Sequence, residues 1–262
     1  MDIKILVATH KNYWMPEDVV YLPLHVGREG KNDLGYVGDN TGDNISTKNS
    51  MYCELTGMYW AWKNLKCDYI GLCHYRRYFC FPSVSGNPDS RKENVFQKEK
   101  YEQLLKNNDI ILPFKSKVSK KTVKEQYCAS HYGRDLEVTR DVVGELYPEY
   151  IDSFDSFMSN RKMFFFNMFV MNKKLFDEYC TWLFAILFEV EKRTDISNYD
   201  TYQSRVYGFL SERLFNVWVA HKKLKAAYAM VENIEETNNH IYLHRLIRNL
   251  KYRVIEKLEE LI

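Results

Sequence analysis

The stretch Asp68-Tyr69-Ile70-Gly71-Leu72-Cys73-His74-Tyr75-Arg76-Arg77-Tyr78-Phe79 decides the fold. Tyr69 to Cys73 is a short apolar run of strand type. It ends abruptly in His74-Tyr75-Arg76-Arg77, two permanent cations among ring side chains. Open α/β sheets bind ligands in the crevice beyond the carboxyl ends of their strands. A guanidinium pair delivered there suits a phosphorylated ligand, because arginine's planar fork grips oxyanions bidentately and never loses its charge. The same residues also fit an edge strand guarded by charge, or arginines paired with structural carboxylates, and the stretch alone leaves both readings open.

Upstream, Ile3 to Thr9 reads as a buried first strand closed by Thr9-His10-Lys11. Val26 to Ser46 carries Gly27, Gly30, Gly35, Gly38 and Gly42 among Asp and Asn. It reads as a long loop, a kind that is usually functional in compact domains. From about Ser50 a helix follows with Leu55, Met58, Tyr59 and Trp62 on one face, and Asn49 or Ser50 as its N-cap. Downstream of the opening stretch come a proline-bearing loop through Ser90, a helix over 96–106 and a strand over 110–112. The region 120–160 is helical and groups Tyr127, His131 and Tyr132 in one turn. Met163 to Met171 is the most strand-like run, interrupted by the single Asn167. Helices over 175–190 and 201–221 and a strand over 226–231 complete the pattern. Strands alternating with helices predict βαβ units, hence an α/β fold with a mostly parallel central sheet flanked by helices.

A chain of 262 residues with 15% aromatics buries a substantial core and is no disordered segment. The formal net charge of +2 supplies no field that would recruit nucleic acid. The six cysteines form no CxxC pair and no metal-finger spacing, and several lie in apolar runs, the usage of reduced thiols in a reducing compartment. The first residues lack the basic flank and apolar length of a signal peptide, and no run reaches the ~18 residues of a membrane span. A cytoplasmic protein is expected. From about Asn239 a separate helix has the apolar stripe Leu243, Ile247, Leu250, Val254, Leu258 and Leu261. Arg245, Arg248, Lys251, Arg253 and Lys257 surround it. It either packs on the domain, residues 1–238, or touches an anionic membrane surface.

Several motifs together identify a resemblance. They are His25-Val26-Gly27, the loop Gly38-Asp39-Asn40-Thr41-Gly42-Asp43-Asn44-Ile45-Ser46 with Asn49, and the helix Tyr52-Cys53-Glu54-Leu55 to Asn64. Tyr69 to Tyr78, Glu125-Gln126-Tyr127 with His131, and Gly208 to Leu214 complete the set. The chain resembles a small bacterial glycosyltransferase family of capsule, exopolysaccharide and O-antigen gene clusters, long known only as a domain of unknown function. The motifs reach to about residue 220. The resemblance implies a nucleotide-sugar-dependent transferase on a GT-A-like, Rossmann-like fold, with β-galactofuranosyltransferases that use UDP-galactofuranose among its relatives. It also implies a saccharide or polyprenyl-linked acceptor, reached at the inner face of the cytoplasmic membrane.

Glycosyl transfer must stabilise a departing nucleoside diphosphate and deprotonate an acceptor hydroxyl. Where GT-A enzymes commonly carry Asp-x-Asp for a divalent cation, this chain reads His74-Tyr75-Arg76. Arg76 and Arg77 are therefore expected to supply fixed positive charge to the leaving group without a metal. Asp39 and Asp43 are candidates for donor binding, their local chemistry open between cation ligands and turn formation. Thr9, His10, Asn44, Lys48, Asn49, His74 and Tyr75 are the further candidates for donor binding. Glu212 and His131 are the candidates for general base, with Asp200 a third. Glu212 is equally open to an ion pair with Arg213 or Arg205. Sugar-phosphate transfer is the competing enzymatic reading, and a nucleic-acid-binding module the competing reading of another class, disfavoured by the near-neutral charge.

Overall fold

The computed structural model describes residues 1–81 and 88–235, so the helix expected over 239–262 lies outside the described residues. The strands are β1 (Ile3–Thr9), β2 (Tyr21–His25), β3 (Val37–Gly38), β4 (Tyr69–His74), β5 (Arg77–Cys80), β6 (Ile110–Pro113), β7 (Ser116–Lys117), β8 (Lys162–Met163), β9 (Phe169–Asn172) and β10 (Ala226–Asn233). The α-helices are α1 (Asn49–Tyr52), α2 (Leu55–Asn64), α3 (Pro88–Glu93), α4 (Lys98–Leu105), α5 (Val123–Ser130), α6 (Gly133–Leu146), α7 (Ile151–Met158), α8 (Lys173–Arg193) and α9 (Val206–Lys222).

The fold is α/β, but the sheet is mixed rather than mostly parallel. The order is β3-β2-β1-β4-β5-β10-β6-β9, with β9 also paired to β4. β1, β2, β3 and β4 run parallel, and so do β6 and β10. β9 lies antiparallel between β4 and β6, and β5 is antiparallel to β4 and β10. The reason for β5 is local. A parallel partner needs a crossover of a dozen or more residues, whereas a hairpin needs two. His74 pairs directly with Arg77, so Tyr75 and Arg76 form the tip of a tight hairpin.

The central strands are buried on both faces, as their near-continuous apolar sequences require. In β1 and β4, Leu6, Ala8, Ile70 and Leu72 face α2, α8 and α9 through one core. Ile5, Val7 and Cys73 face the other core with Tyr21, Phe96 and Tyr101. Each Leu, Ile, Val or Phe side chain among them contributes about 1.5–3 kcal/mol on removal from water. Because β1 to β4 run in parallel, Thr9, His25, Gly38 and His74 end on one edge of the sheet.

Three expected elements are divided. The helix after the glycine-rich loop breaks at Cys53, whose φ is 53°. The run Met163 to Met171 is two strands separated by a turn at Phe166 and Asn167. The helix expected from Thr201 starts as a 3-10 turn, Gln203–Arg205, before α9. All three breaks face the same cleft. Among the described residues no helix is long and apolar enough to cross a membrane.

Candidate active site

A cleft of about 290 Å³ opens beside the end of β4. Cys53 and Glu54 enter it from the α1–α2 break, His74 and Arg77 from the β4–β5 hairpin. His131 closes α5, and Phe165 and Phe166 come from the β8–β9 turn. Arg205, Phe209, Glu212 and Arg213 come from the start of α9. Of the residues singled out from sequence, Glu212, His131, His74 and Arg77 thus meet in one place, although they are spread over 138 positions from His74 to Glu212.

Glu212 is held from two sides. Its Oε1 accepts the Phe166 N–H at 2.8 Å, and its Oε2 accepts from Arg213 Nη1 at 3.1 Å. The ion pair with Arg213 that the sequence left open is therefore present, while Arg205 turns elsewhere. Arg213 is itself buried and also donates to Gln126 Oε1 at 2.8 Å and the Phe209 carbonyl at 3.1 Å. That explains the Glu125-Gln126-Tyr127 motif: Gln126 fixes the cation that fixes the carboxylate. Burial raises the Glu212 pKa. Arg213 and the Phe166 N–H oppose the rise, Glu54 adds to it, and the net shift is upward. A carboxylate tuned upward in a cleft is a better proton acceptor than an ordinary surface glutamate.

The imidazoles are tuned the other way. Burial lowers the His131 pKa although its Nδ1 lies 3.1 Å from Gln203 Oε1, and its ring stacks on Phe209 with centroids 4.0 Å apart. Burial likewise lowers that of His74, whose Nε2 lies 3.2 Å from the Phe166 carbonyl. Arg77 lays its guanidinium over the Phe166 ring, 4.4 Å from the centroid. Asp200 lies outside the cleft lining, its Oδ1 accepting the Gln203 N–H at 2.7 Å.

The other candidates sit along the sheet edge. Thr9 is buried and bonds locally, its hydroxyl donating to the Lys11 carbonyl at 2.7 Å. His10 packs edge-on against Tyr75, and its pKa is lowered by burial and by Lys11, Arg76 and Lys31. Arg76 reaches Glu235 Oε2 at 3.3 Å and Lys11 reaches the other oxygen at 3.5 Å. The two arginines of the opening stretch therefore separate: Arg77 lines the cleft, and Arg76 stands on the edge with Lys11.

In the glycine-rich loop, Asp39 is buried and accepts from the Gly27 and Arg28 N–H groups at 2.7 and 3.0 Å and from the Ser46 hydroxyl at 2.5 Å. Asp43 accepts from the Tyr59 hydroxyl at 3.1 Å. Asn44 closes a local turn through the Ser46 N–H at 3.1 Å. Asn49 donates to the Cys53 carbonyl at 2.7 Å, and Lys48 pairs with Glu191 at 2.7 Å. These contacts organise the loop. Among the described residues no three His, Cys, Asp or Glu side chains converge as a metal-holding group.

Sequence reasoning missed Phe166, Tyr202 and Phe209 as lining of the cleft, and Asn167 behind it, bonded to Glu54. The one signal was the polar Asn167 inside an otherwise apolar run.

Comparison with known proteins adds two findings. A family described as a domain of unknown function, DUF4422, matches residues 4–223. The apo structure of the WbbM bifunctional glycosyltransferase superposes with a TM-score of 0.83 at 33% identity, covering 90% of this chain. This chain spans about half of that protein's length, 46%. Among curated proteins none matches.

Proposed function

The chain belongs to the DUF4422 family, and from its cleft we propose that it is a glycosyltransferase moving a sugar from a UDP-sugar to a bacterial surface-polysaccharide acceptor. The observation that carries the reading is the meeting of Glu212, a carboxylate of raised pKa, with Arg77 at the carboxyl edge of the sheet. Similarity over most of the chain to a protein titled a bifunctional glycosyltransferase supports it.

The residues divide the work by position. The nucleotide lies along Thr9, His10, Tyr75 and Arg76, where Lys11 and Arg76 supply positive charge. The anomeric carbon lies in the cleft. In a single inverting displacement the acceptor oxygen attacks that carbon while Glu212 takes its proton. The bond to the diphosphate breaks with its electron pair passing to UDP, and Arg77 stabilises that charge without a metal ion. Galactofuranose is the first donor sugar to test, following the motif resemblance. A polyprenyl-linked saccharide is the acceptor class, and residues 239–262 are the part that would meet the membrane surface.

The test is direct. Incubating the protein with UDP-galactofuranose and an octyl galactoside should release UDP and yield the extended glycoside, in excess EDTA as in its absence. Release of UMP would instead show sugar-phosphate transfer, and complete loss in EDTA restored by Mn²⁺ would end the metal-free version.

A further inference from the structure

Between β8 and β9 the backbone adopts a conformation that its residues ordinarily avoid. Phe166 and Asn167 have φ of 76° and 52°. Asparagine tolerates this left-handed region, but a bulky residue enters it only where its surroundings over-determine it. The surroundings are specific. The Asn167 side chain is buried, and its amide donates to Glu54 Oε1 at 2.8 Å and Ser211 Oγ at 2.9 Å. Its Oδ1 is buried without a partner among the described residues. A strained dipeptide and an unsatisfied carbonyl at one point are costs that persist where function requires them.

The turn's consequence lies in the cleft. It directs the Phe166 N–H to Glu212 and the Phe166 carbonyl to His74, and it sets the Phe166 ring beneath Arg77. The dipeptide thus touches the carboxylate, the imidazole, the cation and, through the Asn167 amide, the second carboxylate Glu54.

We propose that Asn167 is a positioning residue: by tying the β8–β9 turn to Glu54 and Ser211 it locks the left-handed backbone that aims the Phe166 N–H at Glu212. The proposal rests on Glu212 being the base. Glycine would permit the backbone angle without the anchor, and aspartate would set a charge against Glu54. Asparagine supplies both the tolerance for positive φ and the donor.

The readout follows from the groups around Glu212. Arg213 from α9, Arg77 from β5 and the Phe166 N–H favour its charged form, while burial and Glu54 from the α1–α2 break oppose it. Removing the Phe166 donor shifts that balance toward the protonated acid.

The experiment follows the Glu212 carboxyl by carbon-13 NMR, its resonance identified by loss in Glu212→Gln. A β-branched residue disfavours positive φ, so Asn167→Val should raise the Glu212 midpoint by about one pH unit. The acid limb of turnover should move by the same amount, with UDP affinity unchanged. Asn167→Gly, which keeps the backbone angle but loses the anchor, should shift in the same direction by a smaller amount. If Asn167→Val fails to fold, Asn167→Ala, whose single methyl conflicts less, takes its place with the same direction of shift. A folded Val, Ala or Gly variant titrating with wild type would overturn the proposal, the Gly result because the anchor to Glu54 and Ser211 would then not be what holds the turn. The titration needs no turnover. If Glu212→Gln keeps full activity, the reading of Glu212 as base fails, separately from this result.

Discussion

Arg76 and Arg77 are adjacent in sequence yet face different tasks, because successive residues at a hairpin point different ways. Arg77 lines the cleft, whereas Arg76 lies on the sheet edge outside its lining, paired with a Glu235 that also holds Lys11. The sequence offered no ground for separating them. Arg77→Ala is expected to lower turnover by an amount corresponding to about 2–4 kcal/mol of barrier. Arg76→Ala should act mainly on UDP affinity. Equal effects of the two variants on turnover and affinity would contradict this division. A second prediction concerns pH. The raised pKa of Glu212 leaves it protonated, and inactive as a base, above the ordinary range near 4.3. Turnover should therefore rise with pH through a limb lying above that range, while UDP binding does not follow it. A limb at or below the ordinary value would remove Glu212 from the role.

At the scale of elements, Gly71 shows why β4 needs the residue it has. A Cβ there would lie 2.8 Å from the Phe169 carbonyl oxygen and 2.8 Å from the Ile5 and Val170 side chains, so a backbone neighbour would have to move. Gly71→Ala should destabilise the fold by about 1–3 kcal/mol, read as a lower Tm. A Tm equal to wild type would show that β1 and β9 yield more easily than their packing implies. The capping box of α5 is a milder case. The Thr122 hydroxyl accepts the Glu125 N–H, and the Glu125 carboxylate accepts the Thr122 N–H.

Strands β1, β4 and β6 and helices α8 and α9 were legible in sequence because apolar runs and helical periodicity are local signals. The breaks at Cys53 and at Phe166-Asn167 were not. Their positive φ values arise where contacts from distant segments override local preference, and those contacts build the cleft. The antiparallel sense of β9 escaped for the same reason, since strand direction is set by partners, not by pattern. Glu212 was legible as a candidate because its apolar helical neighbours marked it as more than solvated surface. The Asp39 network was half legible, as turn chemistry weighed against cation binding.

Across the whole molecule, the proposed function puts nucleotide charge at one sheet edge and proton transfer in the adjoining cleft. A ligand that binds only the folded state raises its stability, so UDP at 100 times its Kd should add about 2.7 kcal/mol and raise Tm. The rise should persist in EDTA, and its absence with every nucleotide tested would remove the donor site from the edge. The central claim is that Glu212 deprotonates the acceptor of a UDP-sugar bound beside it. The most direct measurement is transfer from UDP-galactofuranose to an octyl galactoside by wild type and by Glu212→Gln, each first shown to melt and to bind UDP alike. The glutamine variant should bind UDP normally and lose turnover by about 10²–10⁴-fold. A folded Glu212→Gln protein that transfers sugar at the wild-type rate would contradict it.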